Sequence, residues 1–176
     1  MAKAEVGHFE YMRETVHALG DSGLLLVSLD AKLRPNVMTI GWGSLGIFWR
    51  RPIFIVPVRH SRYTYGCIQT TGDFTVNVLP RDLAQAASLC GSVSGRDHDK
   101  FAEASLTAAP ALSVKSPIIE ECVLHYECKV VHANDLVPEA AAPKILSELY
   151  ASRDYHRFFF GEIVSVRAAD NLRERL

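Results

Sequence analysis

The sequence predicts a mainly β protein, an antiparallel β-barrel with flanking helices, in a single domain over residues 1–176. Three observations carry this. Strand-length apolar or alternating runs dominate the chain. Several follow one another through short turns. No helical crossover separates those runs, as a doubly wound sheet would require. There is no internal repeat, low-complexity tract or linker to divide the chain.

The elements are read in order. His8 to Leu19 has Phe9, Met12, Val16 and Leu19 at helical spacing and closes at Gly20, so it reads as a short amphipathic helix. Leu24 to Leu29 is a buried strand and Asp30 to Pro35 a turn. Asn36 to Ile40 and Leu45 to Trp49 are strands separated by glycines. Ile53 to Arg59 is another, with Pro57 marking an edge or a bulge. Ser61 is placed to cap a helix running to Thr71, with Gly72 at its end. Phe74 to Leu79 alternates as a strand. Asp82 is expected to cap a helix from Leu83 to Cys90, ended by Gly91. Val123 to His132 and Phe158 to Val166 are the last two strands, with a helix from Pro143 to Tyr150 between them.

Composition excludes several classes. A chain 48% hydrophobic and 22% charged can build a core, and a net charge of −1 gives no global pull toward nucleic acid or anionic membranes. Met1 to Glu10 hold no apolar signal core. The uncharged run Pro35 to Trp49 is too short, and too rich in glycine, to cross a bilayer. Four cysteines do not suggest a disulfide framework in a chain of this size, and a cytoplasmic protein is expected. One anomaly stands out. Between Ala31 and Gly72 there is no Asp or Glu, while Lys32, Arg34, Arg50, Arg51, Arg59 and Arg62 give that segment +6 and leave −7 to the rest. Such a segment suits a bound anion, although a solvated basic face would look the same.

Several motif matches fail on context. Gly41-Trp42-Gly43-Ser44-Leu45-Gly46 fits G-x-G-x-x-G, but strand-like Ile47 to Trp49 and then Pro52 follow where a helix should open. No acid for a ribose hydroxyl appears before Asp73. Cys122, His125, Cys128 and His132 suggest zinc. On one strand, however, Cys122 and Cys128 would share a face about 20 Å apart with His125 on the other, so the cysteines read as structural and no metal is expected. Asp97, His98 and Asp99 lack calcium-loop spacing and suit a helix start.

Two stretches carry chemistry. In Arg59-His60-Ser61-Arg62-Tyr63-Thr64 a strand ends and a helix begins, placing unpaired N–H groups, two arginines and hydroxyls at one point. That suits a phosphate, and equally a capped helix with solvated arginines. In Asn36-Val37-Met38-Thr39-Ile40-Gly41-Trp42-Gly43 polar residues interrupt an apolar strand, and the glycines let a flat ligand approach the backbone. A flavin needs such a site, and a core strand with a bulge would read alike.

Taken together, these stretches resemble the flavin reductase-like family of FMN-binding split barrels, and within it the flavoredoxin-type proteins. The order continues with Gly72-Asp73-Phe74, Val76-Asn77-Val78, Ser94-Gly95-Arg96, Asp99-Lys100-Phe101, Glu121-Cys122 and Glu127-Cys128-Lys129. It ends with His156 before Phe160-Gly161-Glu162-Ile163. Val123 stands where the family often has proline, and Tyr155 where a small hydroxyl residue is frequent. The resemblance implies a Greek-key split barrel, a homodimer with FMN at the subunit interface, and redox chemistry through the flavin. It assigns Asn36, Met38, Thr39 and Ile40 to the ring and Arg59, Ser61, Arg62 and Thr64 to the phosphate, helped by Lys100, and counts Val37, Trp42 and Tyr63 among the cofactor-binding residues. His156 falls beside the flavin as the catalytic candidate. The implied activity is reduction of FMN by NADH or NADPH, with electrons passed to a redox protein or metal chelate. The alternative is an electron carrier with tightly bound FMN and no NAD(P)H activity.

Overall fold

The computed structural model describes residues 3–176. The first half contains strand β1 (Lys3–Glu5), helix α1 (Met12–Gly20), β2 (Leu24–Leu29), β3 (Pro35–Ile40), β4 (Ser44–Phe48), β5 (Arg51–Arg59), α2 (Tyr63–Thr71) and β6 (Asp73–Val78). The second half contains α3 (Ala84–Ser92), α4 (Lys100–Glu103), β7 (Ala108–Ala109), β8 (Ile118–Ile119), β9 (Leu124–Asp135), α5 (Pro143–Leu149), β10 (His156–Ala169) and α6 (Leu172–Arg175). Every strand pairing is antiparallel. The main sheet runs β3-β2-β6-β9-β10-β5-β4, with β1 added to β10. Its two ends, β3 and β4, are consecutive in sequence and joined only by Gly41–Gly43, which is where the barrel is split.

Alternation explains how the sheet closes. Leu24 and Leu26 of β2, Phe54 and Val56 of β5, Phe74 and Val76 of β6, Tyr126 of β9 and Phe159 and Ile163 of β10 meet in one interior cluster. Leu25 and Val27 point the other way, onto Val37, Ala86, Ala87, Cys90 and Ile119. Strand β2 is therefore buried on both faces, which is why it reads as an unbroken apolar run. Each such side chain is worth about 1.5–3 kcal/mol of burial. Strand β10 pairs with β5 through Glu162 and with β1 from Arg167, and its register against β9 shifts at Phe160/Gly161. At that bulge a Cβ on Gly161 would collide with Phe74 and Cys128, so only glycine fits.

The outer face of β6 and β9 is polar but covered. Glu127 accepts from the backbone N–H groups of Leu112 and Ser113 and pairs with Arg167 at 2.9 Å. Asp73 accepts from those of Lys115 and Ser116, and Asn77 bonds the Ile119 N–H and His125 Nδ1. These bonds pin the 107–120 segment across the barrel.

Several local expectations change. Helix α1 starts at Met12 because the preceding residues close i→i−3 turns instead. Ser61 does not cap α2. Arg62 is the extended residue before that helix, and the Ser61 hydroxyl donates to Asp154. Gly72 does take the left-handed conformation at its end, with φ 71°. Asp82 lies in a 3₁₀ turn and pairs with Arg175, so α3 starts uncapped at Ala84 and runs through Gly91. Cys122 precedes β9 and packs in the outer cluster, whereas Cys128 faces the interior, so the two do not share a face. All four cysteines are free and buried. Among the described residues no group of three or more His, Cys, Asp or Glu is placed to hold a metal, and no helix is long and apolar enough to cross a membrane.

Candidate functional site

Because β3 ends the sheet, its outer edge carries backbone N–H and C=O groups with no strand partner. Two clefts run along that edge and share Met38, Thr39 and Arg62. The first, about 180 Å³, lies at the split and is lined by Met38 to Trp42, Pro57, Arg59 and His156. The second, about 140 Å³, is lined by Asn36, Ser61 to Thr64 and the Cys90–Lys100 segment. They form one groove with two chemically different ends.

The second cleft is the cationic end. Arg62 is exposed, and its guanidinium makes no hydrogen bond or ion pair among the described residues. Lys100 is buried, and its ammonium donates only to the carbonyls of Cys90 (3.0 Å) and Val93 (3.3 Å) at the end of α3. Burial and the neighbouring Arg62 lower its pKa, partly opposed by Cys90. No carboxylate balances this pair. Arg96 adds a third cation, held by a bond to the Ser61 carbonyl at 3.0 Å and by the Tyr63 ring beneath it. Thr64, on the first turn of α2, accepts from Asn36 Nδ2 at 2.8 Å. That leaves Asn36 Oδ1 buried without a partner, a cost native structures rarely leave uncompensated. Gly95 lies against it so closely that a Cβ there would collide with Asn36. A buried orphan acceptor, a glycine cradle and uncommitted positive charge fit a phosphorylated ligand. A larger cleft of about 500 Å³ borders this end, but its Asp30 and Arg34 neutralise each other at 2.7 Å.

The first cleft is different. The His156 ring packs on that of Trp42, with centroids 4.9 Å apart, and its Nδ1 meets the Tyr150 hydroxyl at 2.7 Å. Burial first, and then the Arg59 charge, push the His156 pKa down to about 4, so the imidazole is neutral at neutral pH. Arg59 is held on both of its terminal nitrogens. Its guanidinium donates to the carbonyls of Asp154 (2.5 Å) and Leu149 (2.9 Å) and stacks over Tyr150. A partly aromatic cleft beside an open strand edge, with a neutral imidazole in its wall, suits a flat heterocycle.

The structure gathers Asn36, Met38, Thr39, Ile40, Trp42, Arg62, Thr64, Lys100 and His156 around this one groove. Other members of the sequence-derived set are placed differently. Val37 turns inward to the outer apolar cluster, because strand alternation sends its side chain away from Met38. Tyr63 lines the groove wall, but its hydroxyl reaches Asp30 at 3.2 Å. Arg59 lines the split cleft and Ser61 the cationic one, but both spend side-chain donors on the 149–154 segment, with Ser61 Oγ donating to Asp154 at 2.5 Å. Sequence reasoning missed Tyr150 and Asp154, which no motif flags. It also left Gly95 and Arg96 out of the site, though the Ser94-Gly95-Arg96 tripeptide was a usable signal.

An antiparallel split barrel with a groove that gathers Arg62 and Lys100 at one end and Trp42 and a neutral His156 at the other defines a class of cofactor-binding protein. Comparison with known proteins narrows it. The family model described as the flavin reductase like domain matches residues 20–176, and the chain belongs to that family. Among solved structures, the flavoredoxin of Desulfovibrio vulgaris (Miyazaki F) is 27% identical with a TM-score of 0.68, covering 85% of this chain and 70% of its own. The flavoredoxin of Methanosarcina acetivorans is 28% identical with a TM-score of 0.67, covering 85% of this chain and 69% of its own. An uncharacterized protein of Archaeoglobus fulgidus is 36% identical over 98 residues, 56% of this chain, and the match spans 55% of that relative's length. The fold is the FMN-binding split barrel of flavin reductase-like proteins.

Proposed function

We propose that the groove binds FMN and that the protein is a homodimeric oxidoreductase. NADH or NADPH supplies electrons, which pass to a redox protein or metal-chelate acceptor. The observation that carries this reading is the pair Arg62 and Lys100. They are two cations without a carboxylate among the described hydrogen-bond and ion-pair partners, in a groove whose other end holds the Trp42 ring and a neutral His156. Arg62, Lys100 and the Thr64 hydroxyl would hold the phosphate, with charge-assisted bonds stronger than neutral ones. Met38, Ile40, Trp42 and the free edge of β3 would hold the ring. When bound, FMN supplies two-electron and one-electron redox chemistry, and the protein's part is to bind, orient and shield it. The neutral His156 adds a hydrogen-bonding group without adding charge to the ring end.

An exposed apolar patch supports the dimer. Ile47, Phe48 and Trp49 are 69%, 43% and 59% exposed on the β4–β5 hairpin, and Phe48 and Trp49 pack on Phe160. A second copy is the occupant proposed for this patch.

The likeness to two flavoredoxins favours a second reading, an electron carrier with tightly held FMN and no NAD(P)H activity. Absorbance of the purified protein tests the flavin, and anaerobic titration with NADH and NADPH separates the two readings. Flavin bleaching at substoichiometric NAD(P)H supports the reductase. A flavin that stays oxidised under NAD(P)H but is reduced by dithionite supports the carrier. Light scattering that finds only monomer with FMN bound removes the dimer.

A further inference from the structure

The contact between Tyr150 and His156 decides which imidazole nitrogen carries the proton. The two residues are 5% and 7% exposed, and the phenol oxygen lies 2.7 Å from Nδ1. The phenol makes no other hydrogen bond among the described residues, and burial raises its pKa, so it keeps its proton. If Nδ1–H donated to the phenol oxygen, the buried O–H would have no acceptor, and a buried donor left unmade is heavily penalised. If the phenol donates to Nδ1, both groups are satisfied. A neutral imidazole must then carry its proton on Nε2.

The surroundings keep the imidazole neutral. Arg59 on β5, Arg62 ahead of α2, and Asp154 and Tyr150 from the segment before β10 are the ionisable groups around it. Only Asp154 favours the charged form. His156 Nε2 has no hydrogen-bond partner among the described residues and is not sealed from solvent, and His156 itself lines the cleft at the split. Arg59 clamps the Tyr150 segment onto β5 through the Leu149 and Asp154 carbonyls, and its guanidinium lies 5.1 Å from the Tyr150 ring centre. That charge over the phenol face makes the hydroxyl a stronger donor.

We propose that Tyr150 is the positioning residue of this cleft: its hydroxyl locks His156 in the Nε2–H form and presents that N–H as a hydrogen-bond donor to a carbonyl oxygen or ring nitrogen of the heterocycle bound there. The proposal rests on the reading that a flavin occupies the groove. A donor at this point serves a ligand that accumulates negative charge on its ring system, and a donor that is not cationic does so without attracting other anions.

The test reads the tautomer directly. Long-range ¹H–¹⁵N correlation of histidine-labelled, flavin-free protein gives each ring nitrogen's protonation, and the signal missing from His156→Gln identifies this residue. The wild type is expected to show protonated Nε2 and a hydrogen-bonded, unprotonated Nδ1. Tyr150→Phe should shift the pair toward a mixture of tautomers. It should also lower the rate of flavin reduction about tenfold, on the scale of a lost positioning contact, while FMN affinity changes by less than about threefold. Protonated Nδ1 in the wild type, or an Nε2–H population unchanged in Tyr150→Phe, overturns the proposal. Should Tyr150→Phe fail to fold, 3-fluorotyrosine incorporation replaces it. A more acidic phenol must move the His156 Nδ1 signal, and no movement overturns the proposal equally. Failure of both proteins to take up FMN overturns the flavin reading alone, since the tautomer measurement needs no flavin.

Discussion

The two ends of the groove lie on the same strand edge yet solve opposite problems. At the Arg62 end, charge is left uncommitted: among the described residues the Arg62 guanidinium has no partner, and the Lys100 ammonium meets only carbonyls. At the His156 end, which shares Arg62, the second cation is spent. Arg59 is tied to two carbonyls, and a pKa lowered to about 4 keeps the imidazole neutral at neutral pH. The difference teaches where recognition and chemistry divide. An anion is captured by charge kept free for it, whereas a redox-active ring is served by directed, uncharged groups that do not bias the site before the ring arrives.

The sharpest way to break this comparison is to remove the phosphate from the ligand. Riboflavin should bind at least about 100-fold more weakly than FMN, since two or more charge-assisted bonds of about 1.5–3 kcal/mol each are lost. Equal affinities by calorimetry would leave the cationic end without a role.

Acid should expose the neutral end. Between pH 6.5 and about 4 the unfolded chain takes up a proton that folded His156 refuses. Stability contributed by this residue is therefore complete above pH 6.5 and is lost as pH falls through that window. A pKa lowered from 6.5 to about 4 sets a ceiling of about 3 kcal/mol. His125, buried and pushed well below its usual range, loses stability in the same direction. Urea melts from pH 7 to 4 should show a shallower decline for His156→Gln, and parallel curves would mean that the imidazole charges freely in the fold.

Arg62→Ala should weaken FMN by about 1.5–3 kcal/mol, or roughly 10- to 150-fold, with riboflavin nearly unaffected. A loss shared equally by both ligands would place Arg62 against the ring. The smallest effect is expected at the other end. His156→Ala should leave FMN affinity nearly normal and slow flavin reduction by about 10- to 100-fold, or about 1.4–2.7 kcal/mol. Stopped-flow reduction at saturating NAD(P)H reads it, and an unchanged rate makes His156 a packing residue.

The two ends also differ in how far the sequence revealed them. Arg62 and Thr64 sit at one strand-to-helix junction, so their proximity follows from local chain geometry and was legible as a motif. The strands were legible too, because burial on one or two faces writes itself into the spacing of apolar residues. Leu24–Leu29 is predicted to the residue. The helix starts were not, because Ser61 and Asp82 found partners far along the chain, in Asp154 and Arg175, that outcompeted local capping.

Sequence by itself determined the antiparallel barrel and the single basic segment, which depend on composition and short-range periodicity, while the residues expected to meet a flavin came from the resemblance to the family. Tertiary structure alone decided how those residues are used. It turned Val37 inward and spent Arg59 and Ser61 on a segment about 90 residues away. It also set Tyr150 against His156 and left Arg62 free. Whether a charge is committed or available depends on what the fold packs beside it, and the neighbours that decide this come from distant segments that no local pattern records.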